Sequence, residues 1–168
     1  EDMTITATWQ ANTYTVRFNA NGGSVVQNSK TVTYDGSYGD LPTPVYSGYT
    51  FVGWFTESTG GAKVESSTKV EILSEQTLYA QWVPATDTRY IVEYYQQNAD
   101  DDGYTKVDSD TLTLYGITGS EVSAPEKSYT GFVENLGHKD SLISGEIKAD
   151  GSLVLKRYYD RRIFTLTF

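Results

Sequence analysis

The chain has 168 residues, a net charge of −9 and a sequence pI near 4.5. That acidity argues against a nucleic-acid ligand and an anionic membrane surface, since both require a basic face. The absence of cysteine excludes disulfides and thiolate metal sites, and no apolar run has the length of a membrane-spanning helix.

In chain order, Ile5, Ala7 and Trp9 repeat the alternation of Leu78, Ala80 and Trp82 further on. Residues 1–11 are therefore expected to be the last strand of a preceding repeat. Tyr14-Thr-Val-Arg-Phe18 alternates, with Tyr14, Val16 and Phe18 on one strand face. Asn19-Ala-Asn-Gly-Gly23 is turn chemistry, and Asn-Gly is a strong hairpin signal. Val32 and Tyr34 continue a second strand, which breaks at Gly36 and Gly39. Leu41, Pro42 and Pro44 then predict a short helical turn that cannot lengthen. Tyr49 to Phe55 re-enters a strand, with Tyr49, Phe51 and Phe55 on one face and Gly53 between them. Ser58-Thr-Gly-Gly61 turns the chain, and Lys63 to Ile72 reads as loop or short strands. Leu78, Ala80 and Trp82 share a face of the closing strand. Strand, proline-limited crossover and aromatic strand make residues 12–83 a small, strand-rich α+β module.

Residues 84–88 read as a linker. Tyr90, Val92 and Tyr94 then take the places of Tyr14, Val16 and Phe18, opening a second module over 89–160. Val107 to Tyr115 predicts its second strand, with Leu112 and Leu114 on it. Gly116, Gly119, Pro125, Tyr129 and Phe132 repeat Gly36, Gly39, Pro44, Tyr49 and Phe51. Ser123-Ala-Pro-Glu126 fits a capping box at the start of a short helix. Asp150-Gly151 predicts a turn before the strand Leu153 to Tyr159. Phe164, Leu166 and Phe168 match Tyr14, Val16 and Phe18 again, so residues 161–168 read as the first strand of a following repeat. The strands expected at the two ends, Thr4–Trp9 and Ile163–Phe168, each carry an apolar face and unpaired backbone groups, which invite strand addition.

The densest polar cluster is Asn98-Ala-Asp-Asp-Asp-Gly103, with Asp108 and Asp110 after it. Asn98, Asp100, Asp102 and Gly103 fit the first, third, fifth and sixth places of a calcium loop. The twelfth place, which needs a bidentate Glu, holds Ser109, and the flanks read as strands. The cluster is read as an acidic hairpin turn, with weak calcium binding as the alternative. His138 is the sole histidine, which with no cysteine leaves no ordinary histidine metal site. His138, Asp140 and Ser141 lie too close in sequence to face one another as a triad, and no nucleophile elbow is present. No catalytic, cofactor-binding or metal residue is assigned and no cofactor is expected. Trp9, Trp54 and Trp82 have rings suited to stacking on sugars, but their strand-periodic places predict core or junction packing.

Four motifs resemble the Listeria–Bacteroides repeat, the B-repeat of listerial internalins, across residues 14 to 82. They are Tyr14-Thr-Val-Arg-Phe-Asn-Ala-Asn-Gly-Gly23, Leu41-Pro-Thr-Pro44, Ser47-Gly-Tyr-Thr-Phe-Val-Gly-Trp54 and Leu78-Tyr-Ala-Gln-Trp82. Residues 89 to 159 resemble, more loosely, the mucin-binding-protein repeat. The resemblance rests on Tyr90-Ile-Val-Glu-Tyr-Tyr95, Gly116, Gly119, Tyr129-Thr-Gly-Phe132 and Val154-Leu-Lys-Arg-Tyr-Tyr159. These resemblances imply two tandem β-grasp (ubiquitin-like) modules with short helical crossovers. They imply a non-enzymatic stalk or spacer of a bacterial adhesin-like protein, secreted or attached to the cell wall, that resists force and presents a distal binding region. The alternative is an adhesive module that takes a host protein or glycan on a sheet face or edge. The expected partners are neighbouring repeats of the same chain. The segment is expected to be a monomer, with no nucleic acid and no membrane insertion.

Thermal midpoints taken with calcium and with a chelator should coincide if the acidic run is only a turn. A calcium-dependent rise of several degrees, equivalent to about 1 kcal/mol in a domain of this size, would instead make it a cation site.

Overall fold

The computed structural model describes Met3 and residues 5–165. The chain divides into two compact units, Glu1–Val83 and Pro84–Phe168.

In the first unit β1 (Thr13–Asn19) and β2 (Ser29–Thr33) form an antiparallel hairpin. β3 (Tyr49–Phe55), β4 (Lys63–Val64) and β5 (Gln76–Pro84) complete a sheet of order β2-β1-β5-β3-β4. The first and last strands are parallel neighbours, with Val16 opposite Gln76 and Asn19 opposite Tyr79. Alternation sends Val16, Phe18, Val32, Leu78 and Ala80 to one face, where they are buried with Tyr38, Trp54, Val64 and Val70. Tyr14 and Trp82 are half-buried against the same cluster, as the periodicity predicts.

Two features depart from the sequence reading. Phe51 and Trp54 both enter the core, whereas simple alternation pairs Phe51 with Phe55. Gly53, at φ 154°, shifts the phase of the strand, so Trp54 is 2% exposed and Phe55 only half-buried. The crossover at Leu41–Pro44 is also not helical. Pro42 and Pro44 lack the amide donors that a helix needs. The segment is held instead by side chains and bridges: the Trp54 indole donates to the Pro42 carbonyl at 2.8 Å, Val45 bridges Ser24, and the buried Tyr38 donates to Gln76.

In the second unit β6 (Thr88–Gln97) pairs antiparallel with β7 (Tyr104–Lys106) at its far end and with β8 (Leu112–Gly116) at its start. The strand expected from Val107 to Tyr115 is thus broken by a single 3-10 turn at Asp108–Asp110. β9 (Glu121–Ser123) and β11 (Ser144–Glu146) make a separate two-stranded ribbon. β10 (Phe132–Glu134) and β12 (Val154–Arg161) complete the main sheet, order β10-β12-β6-β7. Here too the first and last strands, β6 and β12, run parallel side by side, from Ile91 opposite Val154 to Gln96 opposite Tyr159. In both units the strands that follow the first one sit on one side of the parallel pair, and a later strand, β3 or β10, sits on the other.

The core of the second unit gathers Tyr90, Val92, Tyr94, Ala124, Ile147, Leu153, Leu155 and Tyr159. The helix expected at Ser123–Glu126 is absent: Ser123 ends a strand, and the following residues are irregular. The carbonyls that a helix would pair internally go elsewhere. The Ala124 carbonyl accepts Nε and Nη2 of Arg157 at 3.1 and 2.7 Å, and that of Pro125 accepts the Tyr94 hydroxyl at 2.9 Å. Arg157, 5% exposed, also pairs with Glu134 of β10. The fold is strand-rich, and among the described residues its helical content is the one 3-10 turn. Of the strands expected at the two ends, residues 5–9 and 163–165 are not in strands, and Ile5, Trp9, Ile163 and Phe164 are exposed. Thr4 and residues 166–168 lie outside the described residues.

Leu155→Ala should lower the stability of the second unit by about 2–5 kcal/mol in urea unfolding, because a fully buried side chain leaves a cavity. Val133→Ala, at a half-exposed position on the neighbouring strand, should stay within about 0.5 kcal/mol of the parent. Equal losses at the two positions would mean that β12 is not the core strand described.

Candidate functional site

The acidic run proves to be the loop of the β6–β7 hairpin, closed by the Asn98 amide on the Gly103 carbonyl at 2.8 Å. Its groups serve the loop. Asp101 Oδ1 accepts from Asn98 Nδ2 and from the Gly103 amide, both at 2.7 Å, and these bonds hold its carboxyl below the ordinary range. Asn98 Oδ1 accepts the Thr105 hydroxyl. Asp108 pairs with Lys106. Asp110 pairs with Lys127 at 2.6 Å and accepts the Tyr129 hydroxyl, and both contacts depress its pKa. The carboxylates grouped by sequence are thus dispersed by structure. Among the described residues no three acidic or histidine side chains converge as metal ligands.

His138, Asp140 and Ser141 do not form a relay. His138 Nδ1 accepts the Asp140 backbone amide at 3.2 Å, while the Ser141 hydroxyl turns to the Lys156 carbonyl. The tryptophans divide by place. Trp54 is buried and Trp82 half-buried, its indole donating to the Ala20 carbonyl at 2.9 Å. Ring contacts run from Phe18 through Trp54 and Phe51 to Trp82, then to Tyr46 and Tyr49. Trp9 is 89% exposed.

The most developed side-chain cluster outside the cores lies on the outer face of the second unit's sheet. Parallel register places Tyr95 of β6 opposite Tyr158 of β12. The two rings stack at 4.7 Å and 10°. The loop after β10 lays His138 on the other side of Tyr158, at 3.8 Å and 15°. Tyr104 of β7 meets both His138 and Tyr158 edge-on. Its hydroxyl donates to Asp160, which also takes Asn135 Nδ2. An open depression of about 330 Å³ borders these rings and includes Asp102, Lys139 and Asp140. Burial, and then the hydrogen bond to Glu93, pushes the Tyr95 phenol above its ordinary range. Burial raises Tyr158, and the bond to Asp160 raises Tyr104. These phenols therefore stay protonated at neutral pH. Tyr95 and Tyr104 already donate their hydroxyls to Glu93 and Asp160, and Tyr158 is buried between its ring neighbours. What the ladder presents to solvent is therefore the partly exposed Tyr95, Tyr104 and His138 side chains, with no phenol acting as base or nucleophile.

Sequence reasoning by single positions misses this ladder, although the doublets Tyr94-Tyr95 and Tyr158-Tyr159 signal it. Neighbouring residues in a strand point to opposite faces. Each doublet thus sends one ring to the core, Tyr94 and Tyr159, and one outward. Among the described residues no helix is long and apolar enough to cross a membrane.

Comparison with known proteins adds relatives for this geometry. Internalin H of Listeria monocytogenes is 37% identical over 82 residues, covering 49% of this chain and 14% of Internalin H. Two proteins of Evansella cellulosilytica, both named as membrane proteins, are 30% and 26% identical over 146 and 176 residues. Those matches cover 84% and 100% of this chain and 20% and 18% of the two relatives. The chain thus spans a fifth or less of the length of these relatives. Among solved structures, Mub-RV aligns with 90% of this chain and 99% of its own at 12% identity, with a TM-score of 0.23 that is too low to compare folds. Residues 14–81 match the sequence profile of the Listeria-Bacteroides repeat domain, and this segment of the chain belongs to that family.

Proposed function

We propose that the chain is a non-enzymatic, tandem-repeat stalk segment of a bacterial cell-surface protein, built from two modules of β-grasp topology with irregular crossovers in place of the helix. The second module is read as a relative of the mucin-binding-protein repeat. The segment spaces a distal binding region and carries tension. The observation that supports this most is the parallel adjacency of first and last strands in each unit. Pulling on the two ends of parallel neighbours loads their hydrogen bonds in shear, so the bonds fail together. The exposed apolar positions Ile5 and Trp9, and Ile163 and Phe164, would then pair with neighbouring repeats on the cell exterior.

A second reading, adhesion to a host protein or glycan, is favoured by one observation: the aromatic ladder of Tyr95, Tyr158 and His138 with its bordering depression. Partly exposed aromatic rings beside the carboxylates of Asp102 and Asp140 suit both kinds of partner. Retention of the chain on a glycan array or host-protein panel, lost in a Tyr104→Ser, His138→Ala double variant that still folds, would establish this reading over a purely passive spacer.

Single-molecule pulling tests the stalk. Attachment through Thr88 and Arg161, at opposite ends of β6 and β12, should give a clearly higher unfolding force than attachment through Thr88 and Gly116. The latter two residues are a directly opposed antiparallel pair, which unzips one bond at a time. Equal forces in the two geometries would remove the mechanical reading.

A further inference from the structure

The β1–β2 connection contains the sole Asn-Gly step of the sequence, Asn21-Gly22. Its backbone explains the choice. Asn21 has φ 48° and Gly22 φ 101°, and the Gly23 amide donates to the Ala20 carbonyl at 3.1 Å. Two successive left-handed residues closed by that bond make a type I′ turn, for which Asn-Gly is the preferred pair. A side chain at Gly22 would also press on the Tyr46 ring, 3.1 Å from a Cβ placed there. Geometry thus selects a dipeptide that is chemically fragile. Asparagine is thermolabile, and a following glycine leaves its backbone nitrogen unhindered.

The side chain of Asn21 is not idle. Its Nδ2 donates to the Ser58 carbonyl and to the Ala80 carbonyl, each at 3.0 Å. Those acceptors lie 37 and 59 residues further along the chain, so both bonds exist only when the first unit is folded. Meanwhile the residue itself is exposed to solvent, so water and hydroxide have access.

We propose that Asn21 is a deamidation site guarded by the fold, whose conversion leaves a permanent covalent record that the first unit has unfolded. The reaction needs only water. The Gly22 backbone N–H loses its proton to hydroxide, and the nitrogen bonds to Cγ of Asn21. The Cγ–Nδ2 bond breaks, and Nδ2 leaves as ammonia after taking a proton from water. The resulting cyclic imide adds water and opens to aspartate or isoaspartate. The leaving nitrogen is the atom pinned by Ser58 and Ala80, so ring closure first requires both hydrogen bonds to break. Once converted, the side chain presents carboxylate oxygen to two carbonyl oxygens, acceptor against acceptor. An isoaspartate also adds a backbone atom to a turn that closes in four residues. The modified unit therefore refolds poorly. The inference depends on the first unit's turn and not on the stalk reading.

The test uses the full chain at mildly alkaline pH, held either in buffer or in urea. The tryptic peptide Phe18–Lys30 is then quantified by mass spectrometry with isoaspartate detection. Conversion at Asn21 should be roughly tenfold or more faster in urea, since two hydrogen bonds no longer hold the amide. Asn98, which precedes Ala99, should lag Asn21 in urea. Equal rates in buffer and urea would overturn the guard, and absence of conversion in urea would overturn the site. In parallel, Asn21→Asp, the direct product mimic, should lower the urea midpoint of the first unit. An unchanged midpoint would show that the amide does not clamp the turn, which also overturns the proposal.

Discussion

Each unit depends on one pairing, the parallel contact between its first and last strands at the middle of the sheet. β1 needs β5, and β6 needs β12, before either main sheet can exist. A later strand attaches to this pair and not to the hairpin that precedes it: β10 pairs with β12, and β3 lies beside β5. Nothing local stabilises such a contact, because the whole intervening chain must be laid down first. Non-local pairing of this kind makes folding slow and unfolding cooperative. It also makes the unit a closed mechanical element, since its two ends are tied to each other directly.

The second constraint is how the sheet's inner face is covered without a helix. A helix satisfies its own backbone; an irregular segment over a core does not, and buried carbonyls must find donors. The sheets supply them from long side chains with polar tips. Trp54 reaches Pro42, Trp82 reaches Ala20, Tyr94 reaches Pro125, and Arg157 reaches Ala124. Such residues give apolar area along the stem or ring and a donor at the end. Trp54, Trp82 and Tyr94 each combine the two in one residue. Arg157 is the costliest member, a charge in the interior that Glu134 and the Ala124 carbonyl together compensate.

Strand periodicity was readable from residues such as Val16, Phe18, Leu78 and Ala80, because each position must choose a face. The division into two units was readable from the recurrence of the strand-opening pattern Tyr14, Val16 and Phe18 at Tyr90, Val92 and Tyr94. Crossover helices were misread because short polar segments with proline carry little local preference, and tertiary donors decided their shape. The phase shift at Gly53 was hidden because a glycine at φ 154° looks, in sequence, like any small residue in an aromatic strand. The acidic loop was readable as a turn, while the fate of Asp108 and Asp110 depended on Lys106 and Lys127, which only the fold brings near. The Tyr95–Tyr158–His138 ladder combines residues from β6, β12 and the loop after β10, so no single stretch announces it.

The alternation along β12 bears on how the second unit gives way. Leu155, Arg157 and Tyr159 are buried inward, and Lys156 and Tyr158 lie on the other face. Sliding β12 by one residue along β6 would turn Lys156 toward the core and Leu155 to water. Sliding by two would restore the faces, but it would separate Arg157 from both Glu134 and Ala124. Neither intermediate register is a resting place. The register seen along β6 is thus the one that keeps Leu155 in the core and Arg157 on both of its partners, so the pairing is fixed by side chains as well as by the backbone ladder.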